Sequence, residues 1–505
     1  MTEEGRRLGV PARVAVAVLV ALVVTAGLVA SLRLVGGPAV GAGDNSDGGR
    51  LFCAAELTPD ASGGRSNWRG VVVTEFDTGG EPCPPGAAGS SATVVLQVAV
   101  ALAPALDDGD RTDGTTRFSL RWLAALYALL LGAGAGVAAF AATARSPVGV
   151  AALVPVLLPL VAVPWWSRFL VSTYAESAGL LGTVWVGLGL VTLAVTRSGD
   201  RGARWCALAL LAAGGLVAAT AKPAFLAVGL VAVAACLLTA AGTGPAARRR
   251  APGLLAAVAT VALAAAPVAS SVRAQDEFYL LNNVHDLVFT AVLVEAGPSA
   301  TAPLGLRPEA AAHAGEGYYW DTGRAVPGYT ETVAERPEQL REATYRYLAS
   351  DPRVLAAMVH RGVTATARPQ LPYLPSVAGG PGTVTSDPAD LGADRWLLMG
   401  ALFADLDALP APWLPSALVV VALAAGAATV VVPRAGRSSS AAVGLVRCAA
   451  ALAVVALGIV VPAVLGDGYY ELTKHVWLAS YALVVAAGAL VAAALCAVAA
   501  VARRP

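Results

Sequence analysis

The chain has 505 residues, of which 57% are hydrophobic and only 14% are charged. This composition excludes an ordinary soluble globular protein, because the apolar residues are grouped in blocks long enough to cross a bilayer. The formal net charge of +1 gives no indication of a nucleic-acid partner, since the placement of charge matters more than its sum in such a chain. The sequence therefore predicts an all-α polytopic membrane protein in contact with the lipid bilayer.

About ten apolar blocks have the length of a membrane-spanning helix, roughly 18 to 25 residues. In chain order they cover residues 14–35, 118–142, 147–164, 178–196, 205–221, 223–241, 253–271, 414–432, 442–465 and 476–501. The first block is longer than the core of a signal peptide and has no clear cleavage site, so it is predicted to be a retained anchor.

These spans divide the chain into three parts. Residues 1–271 form a membrane domain that contains the first outer loop, 36–117; residues 272–413 form a mixed extracytoplasmic region; and residues 414–505 carry the last three spans. Within the loops, we predict a helix on the membrane surface at 92–106, a helix at 338–366 and a Gly/Pro loop at 378–382.

Arginines predict the orientation of the spans. If the spans alternate strictly, the arginine clusters all fall on one side of the membrane, which the positive-inside rule assigns to the cytoplasm. They are Arg6, Arg7, Arg13, Arg145, Arg197, Arg201, Arg204, Arg248, Arg249, Arg250, Arg434, Arg437, Arg503 and Arg504. Both termini are then cytoplasmic, and any active site on the long loops faces the outside of the cell membrane.

Cys53 and Cys83 are the pair of cysteines that falls in a predicted outer loop. An oxidising compartment would allow them to close a loop of about 30 residues with a disulfide. Spacing alone does not show that the two sulfurs meet, so the bonded and the free states both stay open. The other four cysteines lie in apolar spans, where they are predicted to be small core residues.

Charged and polar side chains collect where the predicted spans reach the outer face. They are Asp44, Asp47, Arg50, Glu176, Lys222, Arg273, Asp467, Tyr469, Lys474 and His475. The set includes both lysines of the chain, Lys222 and Lys474. An ammonium group can pair with a phosphate as a point charge, but ordinary snorkelling to the interface explains either lysine alone equally well.

Carboxylates beside cations at an outer membrane surface suit the transfer of a sugar from a lipid-phosphate carrier. A carboxylate accepts the proton of the incoming hydroxyl, while cations stabilise the phosphate leaving group. This chemistry requires no cofactor, although a loosely held Mg²⁺ or Mn²⁺ between Asp47 and a donor phosphate stays open. The alternative for Asp44 and Asp47 is a solvated turn, because DNSDGG is a strong turn sequence.

A second polar group, Asn283, His285 and Asp286, lies near the membrane on the same side. A histidine with a neighbouring acid is usually a hydrogen-bonded structural pair, and contact with substrate is the alternative. The four histidines of the chain have no spacing suited to a zinc site.

Several stretches resemble the GT-C class of membrane glycosyltransferases, most closely the hexose transferases of bacterial cell-surface glycan biosynthesis. These stretches are DNSDGGRLF (44–52), SSATVVLQVAVALA (90–103), RFLVSTYAESAGLL (168–181), FYLLNNVHDLVFTAVLVEAGPSATAPLGLRPEAAAHAGEGYYW (278–320) and GDGYYELTKHVWL (466–478). The first resembles the family's Asn-Gly-Asp-Phe-x-Arg-Val motif, but Ser46 stands where the family has glycine and Gly48 where it has phenylalanine. Trp165-Trp166-Ser replaces an acidic stretch before the Tyr-x-Glu segment.

The resemblance implies an inverting hexosyltransferase that uses a polyprenyl-phosphate-linked sugar donor and a glycan acceptor. Asp47 would be the general base with Asp44 as its neighbour or substitute, and Glu176 would orient the acceptor or a metal. The residues predicted to hold the donor phosphate are Arg50, Lys222, Arg273, Lys474 and His475. Those predicted to bind substrate are Asn283, His285, Asp467 and Tyr469.

Two rival functions stay open at this point. A flippase or secondary transporter of lipid-linked sugars would be expected to carry ionisable residues at mid-membrane depth, and the centres of the predicted spans are nearly free of them. A non-catalytic scaffold of glycan assembly would need only its outer region to bind, so acidic-to-amide changes at the span ends should then be silent.

Overall fold

The computed structural model describes residues 8–37, 39–44, 47–59, 72–83, 89–106, 116–144, 147–196, 200–240, 251–320, 322–369, 371, 374, 413–431 and 440–502. Of the predicted features, the loop at 378–382 and most of the arginine clusters lie outside these residues. Those arginines are Arg6, Arg7, Arg145, Arg197, Arg248, Arg249, Arg250, Arg434, Arg437, Arg503 and Arg504.

The main helices are α1 (Val10–Ser31), α2 (Ser91–Leu106), α3 (Leu120–Ala142), α4 (Val154–Ala162), α5 (Glu176–Val195), α6 (Arg201–Ala221), α7 (Leu226–Ala240), α8 (Ala251–Asp286), α9 (Pro337–Ser350), α10 (Pro352–Ala365), α11 (Leu414–Val431), α12 (Ser440–Gly466) and α13 (Trp477–Ala502). Short helical turns occur at Gly49–Phe52, Cys53–Ala55, Pro147–Leu153, Pro164–Ser167, Arg168–Leu170, Pro223–Phe225, Leu287–Val292, Leu293–Ala296, Gly297–Ala300, Pro308–His313, Thr330–Ala334 and Leu472–His475.

The protein is an all-α polytopic membrane protein, as predicted. In the described part of the chain, 8 helices are long and apolar enough to cross a membrane, or up to 9 if a bent pair forms one span. Each of these helices matches a predicted block. The prediction of about ten spans, with one more or one fewer allowed, is consistent with this number.

The two exceptions among the predicted spans each contain or follow a proline. Block 147–164 is bent by 68° between Gly149–Ala162 and Pro164–Leu170, because Pro159 lies inside α4 and Val163, before Pro164, is extended. Block 223–241 begins with the turn Pro223–Phe225, and the helix after it has only 15 residues. The first block therefore forms a bent pair of helices, and the second forms a shorter apolar helix within the described residues.

Helix α8 is much longer than a membrane is thick. Its 36 residues correspond to roughly 54 Å of α-helix, against a hydrocarbon core of about 30 Å. The predicted domain boundary at residue 271 falls inside this helix, so α8 links the spans to the region that follows without a break.

Residues 280–358, as far as they are described, pack around a separate apolar core, which includes Phe289, Leu340 and Met358. The single helix predicted at 338–366 was wrong, because the chain breaks at Asp351 and Pro352 into α9 and α10. Pro352 has no backbone N–H, and the Asp351 side chain instead accepts a hydrogen bond from Arg353 N (3.2 Å) to cap α10.

The loop between α1 and α3 holds a small antiparallel sheet of β1 (Leu57–Pro59), β2 (Glu75–Thr78) and β3 (Arg117–Ser119). Leu57 pairs with Thr78, and Phe76 pairs with Phe118. Helix α2 forms at the predicted position with one buried side, which includes Leu96, and one exposed side, which includes Val98. Its predicted location on the membrane surface remains a prediction.

Helix contacts define the two ends of the bundle. Arg13 Nη2 donates to Phe140 O (2.9 Å), and Arg204 donates to Thr239 O, so the start of α1 lies by the end of α3 and the start of α6 by the end of α7. These arginines are at the opposite end from the loops that carry Asp47 and Lys222. Arg13 and Arg204, two described members of the predicted arginine clusters, thus lie at the same end of the bundle, and the side of the membrane that this end faces stays a prediction.

Candidate functional site

Four chain segments meet at the other end of the bundle and bring acidic and basic side chains together. Lys474 Nζ lies 2.5 Å from Asp47 Oδ2 and 3.1 Å from Glu471 Oε2, and Lys222 Nζ lies 3.1 Å from Glu176 Oε1. We call Asp47, Glu176, Lys222, Glu471 and Lys474 the acid–base cluster.

Lys474 is the buried centre of this cluster. Its side chain is 0% exposed, and its ammonium group lies 4.9 Å from the centre of the Tyr174 ring. Burial alone would lower the pKa of Lys474, but Asp47, Tyr174 and Glu471 raise it well above its ordinary value. The lysine is therefore protonated at neutral pH, and it neutralises carboxylates in the described structure.

Asp47 differs from Lys474 in that its side chain is 35% exposed. Burial would raise the pKa of Asp47, but Lys474, Lys222 and Arg50 together lower it well below the ordinary value. Arg50 contributes its guanidinium at 3.4 Å from Asp47 Oδ1. Asp47 is therefore an ionised carboxylate at neutral pH that a ligand can reach.

Asp44 has a different environment from Asp47. Its side chain is buried, with Oδ1 accepting from Gly48 N (3.1 Å) and Oδ2 accepting from Thr173 Oγ1 (3.0 Å). A Cβ atom at residue 48 would collide with Asp44 and Thr173, so glycine is required there. Asp44 thus fixes the turn that carries Asp47.

The loop after α12 contains local backbone strain at the cluster. Glu471 has φ 46° and ψ 31°, the left-handed conformation, directly before the turn Leu472–His475. Such a conformation is uncommon for a residue with a Cβ and is found preferentially at functional sites. The ion pair with Lys474 holds Glu471 in this position.

The predicted substrate-binding residues Asn283 and Asp467 meet the predicted phosphate-binding residue His475. His475 Nδ1 lies 3.5 Å from Asp467 Oδ2, and in the amide orientation that suits its neighbours Asn283 donates to Asp467 Oδ1 at 2.9 Å. Burial lowers the pKa of His475 against the opposing effect of Asp467. The imidazole is therefore neutral at physiological pH and acts there through hydrogen bonds.

Two other predicted residues point elsewhere. Arg273 is exposed, and its Nε donates to Ala269 O (3.3 Å) of its own helix. Tyr469 OH donates to Glu295 Oε1 (2.7 Å), while Arg361 lies over the Tyr469 ring at 4.7 Å. Tyr469 thus joins the last loop to the outer region, and its predicted contact with substrate stays a prediction.

His285 and Asp286 hold a loop in place. His285 is 0% exposed, and its ring nitrogens contact Tyr329 OH and Glu316 O, each at 3.1 Å. Asp286 Oδ1 accepts from Tyr318 N (2.7 Å). These contacts favour the structural alternative for the pair over the alternative of contact with substrate.

Cys53 and Cys83 form a disulfide with 4.8 Å between their Cα atoms. It links the turn after Asp47 to the segment that follows β2. We expect the double variant Cys53→Ala/Cys83→Ala to lower the stability of this loop by about 2–4 kcal/mol, because the bond restricts the unfolded chain. Thermal unfolding with and without reductant measures this: the wild type should lose stability on reduction and the variant should not respond. A reductant-insensitive wild type would contradict the prediction.

A Mg²⁺ or Mn²⁺ ion between Asp47 and a donor phosphate stays open, because such an ion needs only one or two carboxylates besides substrate oxygens. Among the described residues, no three His, Cys, Asp or Glu side chains are grouped so as to hold a metal ion. A Mg²⁺ or Mn²⁺ ion at Asp47 would have to displace Lys474 and Arg50 from the two carboxylate oxygens.

The sequence places Tyr470 and Glu471 among the polar residues at the outer span ends. It gave no role to these two residues or to Tyr279 and Tyr319, which also lie beside the cluster. Arg50 lies over the Tyr279 ring at 4.1 Å, and the rings of Tyr319 and Tyr470 are 5.8 Å apart. A signal was present, because only 12 tyrosines occur in the chain and four of them form the pairs 318–319 and 469–470.

The comparison with protein families decides the class of the chain. The model of the YfdI N-terminal transmembrane domain matches residues 6–363, which is more than two thirds of the chain. The chain belongs to this family. YfdI is a GT-C-like membrane glycosyltransferase family, so the family agrees in class with the sequence resemblance. The matched residues include Asp47, Glu176 and Lys222, and they end before the loop of Lys474. No curated protein and no solved structure is significantly similar to the chain.

Proposed function

We propose that this protein is an inverting membrane glycosyltransferase. It transfers a hexose from a polyprenyl-phosphate-linked donor to a cell-surface glycan acceptor on the outer face of the bacterial cell membrane. The observation that carries this proposal is the Asp47 carboxylate, which is 35% exposed and lies between Lys474 of the acid–base cluster and Arg50 beside it. Family membership supports the reaction class.

Asp47 is the general base of the proposed reaction. The acceptor hydroxyl attacks the anomeric carbon, the bond from that carbon to the phosphate oxygen breaks, and the lipid phosphate leaves with the bonding electrons. A carboxylate with a strongly lowered pKa is a weak base. The acceptor oxygen becomes strongly acidic as it bonds to the anomeric carbon. A weak base such as Asp47 is therefore sufficient, because it accepts the proton after this bond has begun to form.

The cations at the cluster divide into two groups by exposure. The side chain of Arg50 is 47% exposed and that of Lys222 is 24% exposed, whereas that of Lys474 is 0% exposed. Arg50 and Lys222 are therefore the groups that meet the donor phosphate and stabilise the charge that grows on it. Lys474 acts through Asp47 by keeping it ionised and oriented.

Glu176 lies with Lys222 on the donor side, and the network of Asn283, Asp467 and His475 forms part of the acceptor side. Glu176 is paired with Lys222, so it positions the phosphate-binding cation next to the reacting centre. Neutral His475 and the carboxylate of Asp467 offer a donor and acceptors to sugar hydroxyls.

The distribution of charge along the spans favours an enzyme over a transporter. Asp, Glu, Lys and Arg in the described spans other than α8 lie within about two turns of a helix end, and those of α8 lie after residue 271, beyond the part of that helix that a membrane requires. Transporters of charged substrates usually place such residues near the bilayer midplane.

The proposal is tested with purified protein, a panel of polyprenyl-phosphate hexoses and a mixed glycan extract as acceptor source. We expect one donor to be consumed, with release of free polyprenyl phosphate and a new glycosidic bond of inverted anomeric configuration. If every donor in the panel is left intact, the proposed reaction is wrong.

Replacing Lys222 tests the phosphate assignment. We expect Lys222→Met to lower kcat/KM for the donor on the order of 100-fold, because a cation that stabilises the leaving phosphate is lost. Steady-state kinetics with varied donor measures this, and Lys222→Arg should retain much of the activity. Arg273→Met is the comparison: if it costs more activity than Lys222→Met, the donor phosphate lies nearer α8 than we propose.

A further inference from the structure

Three tyrosine rings from separate chain segments border the acid–base cluster. Tyr279 comes from α8, Tyr319 from the loop after residue 315, and Tyr470 from the loop after α12. We call these three residues the tyrosine wall. It joins the cluster at two points, because Arg50 contacts both the Tyr279 ring and Asp47, and Glu471 directly follows Tyr470.

Specific contacts with neighbouring residues hold the rings of the tyrosine wall in position. Asn282 Nδ2 donates to Tyr319 OH at 2.5 Å. The loop of Tyr319 is fixed by two further hydrogen bonds, in which Tyr318 N donates to Asp286 Oδ1 and His285 Nε2 donates to Glu316 O. Gly317 lies so close to the Tyr470 ring that an added Cβ would come within 2.7 Å of it. The chain thus uses buried polar residues and a glycine to set the positions of these rings.

The wall faces outward even though its supports are buried. Tyr319 is 57% exposed and its neighbour Trp320 is 52% exposed. Scattered exposed aromatic residues are ordinary, but a group of fixed aromatic rings beside a charged site is typical of a binding surface. Burial, Glu471 and Asp286 raise the pKa of Tyr470 to about 12, so its hydroxyl stays a neutral donor and acceptor.

We propose that the tyrosine wall binds the acceptor glycan, with sugar rings lying against Tyr319 and Tyr470. This inference rests on the proposed function and adds the acceptor subsite to it. Sugar rings have apolar C–H faces and polar edges, which suits tyrosine rings flanked by hydroxyl groups and the Asn282 amide. The donor is the poorer fit, because its phosphate requires cations and the wall itself is neutral.

Arg50 marks the boundary between the two subsites. It touches Tyr279 on one side and Asp47 on the other. A glycan that extends along the wall therefore presents its terminal hydroxyl to Asp47, and the donor phosphate approaches from the side of Lys222.

The test measures glycan binding without any donor. Isothermal titration calorimetry on the full-length protein in detergent would use maltohexaose, α-1,6-mannohexaose and a linear rhamnose hexasaccharide. We expect at least one to bind, and Tyr319→Ala and Tyr470→Ala each to weaken that binding about tenfold or more. Phe278→Ala is the matched control, because Phe278 is 47% exposed on the same helix as Tyr279 but lies outside the wall.

Each outcome bears on the proposal. Tyr319→Phe and Tyr470→Phe separate ring contact from hydroxyl contact, and they should keep most of the affinity if the rings carry it. Absence of binding by the wild type, or equal binding by the wild type and both alanine variants, overturns the proposal. Binding without donor consumption would instead remove the proposed transferase and leave the wall as the glycan site of a scaffold.

Discussion

Asp47→Asn is expected to abolish glycosyl transfer, with a decrease in kcat of about 10²- to 10⁴-fold, the usual contribution of a general base. The amide cannot accept the acceptor's proton, but it has the size of the carboxylate and keeps an oxygen for Lys474. Expression and thermal stability should therefore change much less than activity. Assay of lipid-phosphate release together with a thermal unfolding curve measures both quantities.

Asp44→Asn is the matched control for this prediction. Asp44 is buried and accepts hydrogen bonds from Gly48 N and Thr173 Oγ1, so its substitution should act on the turn and lower stability, with a smaller loss of activity. Retained turnover in Asp47→Asn, together with an inactive but stable Asp44→Asn, would move the base to Asp44.

Lys474→Met is expected to move the acid limb of the pH profile of kcat/KM to higher pH. The groups that act on Asp47 are the cations Lys474, Lys222 and Arg50 together with burial. Without Lys474, only Lys222 and Arg50 remain to lower the pKa of Asp47 against the effect of burial, which raises it. The pKa of Asp47 therefore rises, and the carboxylate becomes protonated at higher pH. Loss of activity without a shift of this limb would show that Lys474 has a different role.

The same substitution should also destabilise the protein. Methionine fills a similar volume, but Glu471 and Asp47 lose their buried partner, and breaking a buried pair typically costs up to about 3–5 kcal/mol. The cost should lie below that range here, because Asp47 is 35% exposed and solvent screens its charge. Lys474→Arg keeps the charge and provides the control for both measurements.

The pKa shifts of Asp47 and Lys474 determine how the ion pair's contribution to folding stability depends on pH. The pKa of Asp47 is lowered on folding, so its contribution is present above its ordinary pKa of 3.8 and is lost as the pH falls through the lower folded value. The pKa of Lys474 is raised, so its contribution is present below 10.5 and is lost only at higher pH. The ion pair therefore stabilises the protein throughout the neutral range.

The sequence predicted the membrane spans well because their signal is local. A block of apolar residues is sufficient to identify a span such as α5 or α12, whatever it packs against. Two breaks in the helices also have local causes. Pro159 and Pro164 explain the bend after α4, and Pro352 explains the break between α9 and α10. Greater weight on proline would have improved these predictions.

The arrangement of the site was harder to predict because it depends on contacts between distant residues. Asp47 and Lys474 were both selected from the sequence, yet they are 427 positions apart and no local pattern indicates that they pair. Lys474 was expected to face a phosphate, whereas packing against Tyr174 buries it. Similarly, Tyr469 was selected, but the strained loop directs Tyr469 to Glu295 and leaves Tyr470 beside the cluster.

The fate of the donor in proteoliposomes tests the central claim most directly. A polyprenyl-phosphate hexose with a labelled sugar is placed in one leaflet, glycan acceptor is added on the same side, and the lipid and the sugar are followed separately. We predict that the sugar leaves the lipid and appears on the acceptor, and that free polyprenyl phosphate accumulates in equal amount. With Asp47→Asn, neither product should form. Transfer of the intact donor to the other leaflet, with its sugar still attached, would contradict the proposal and identify a transporter.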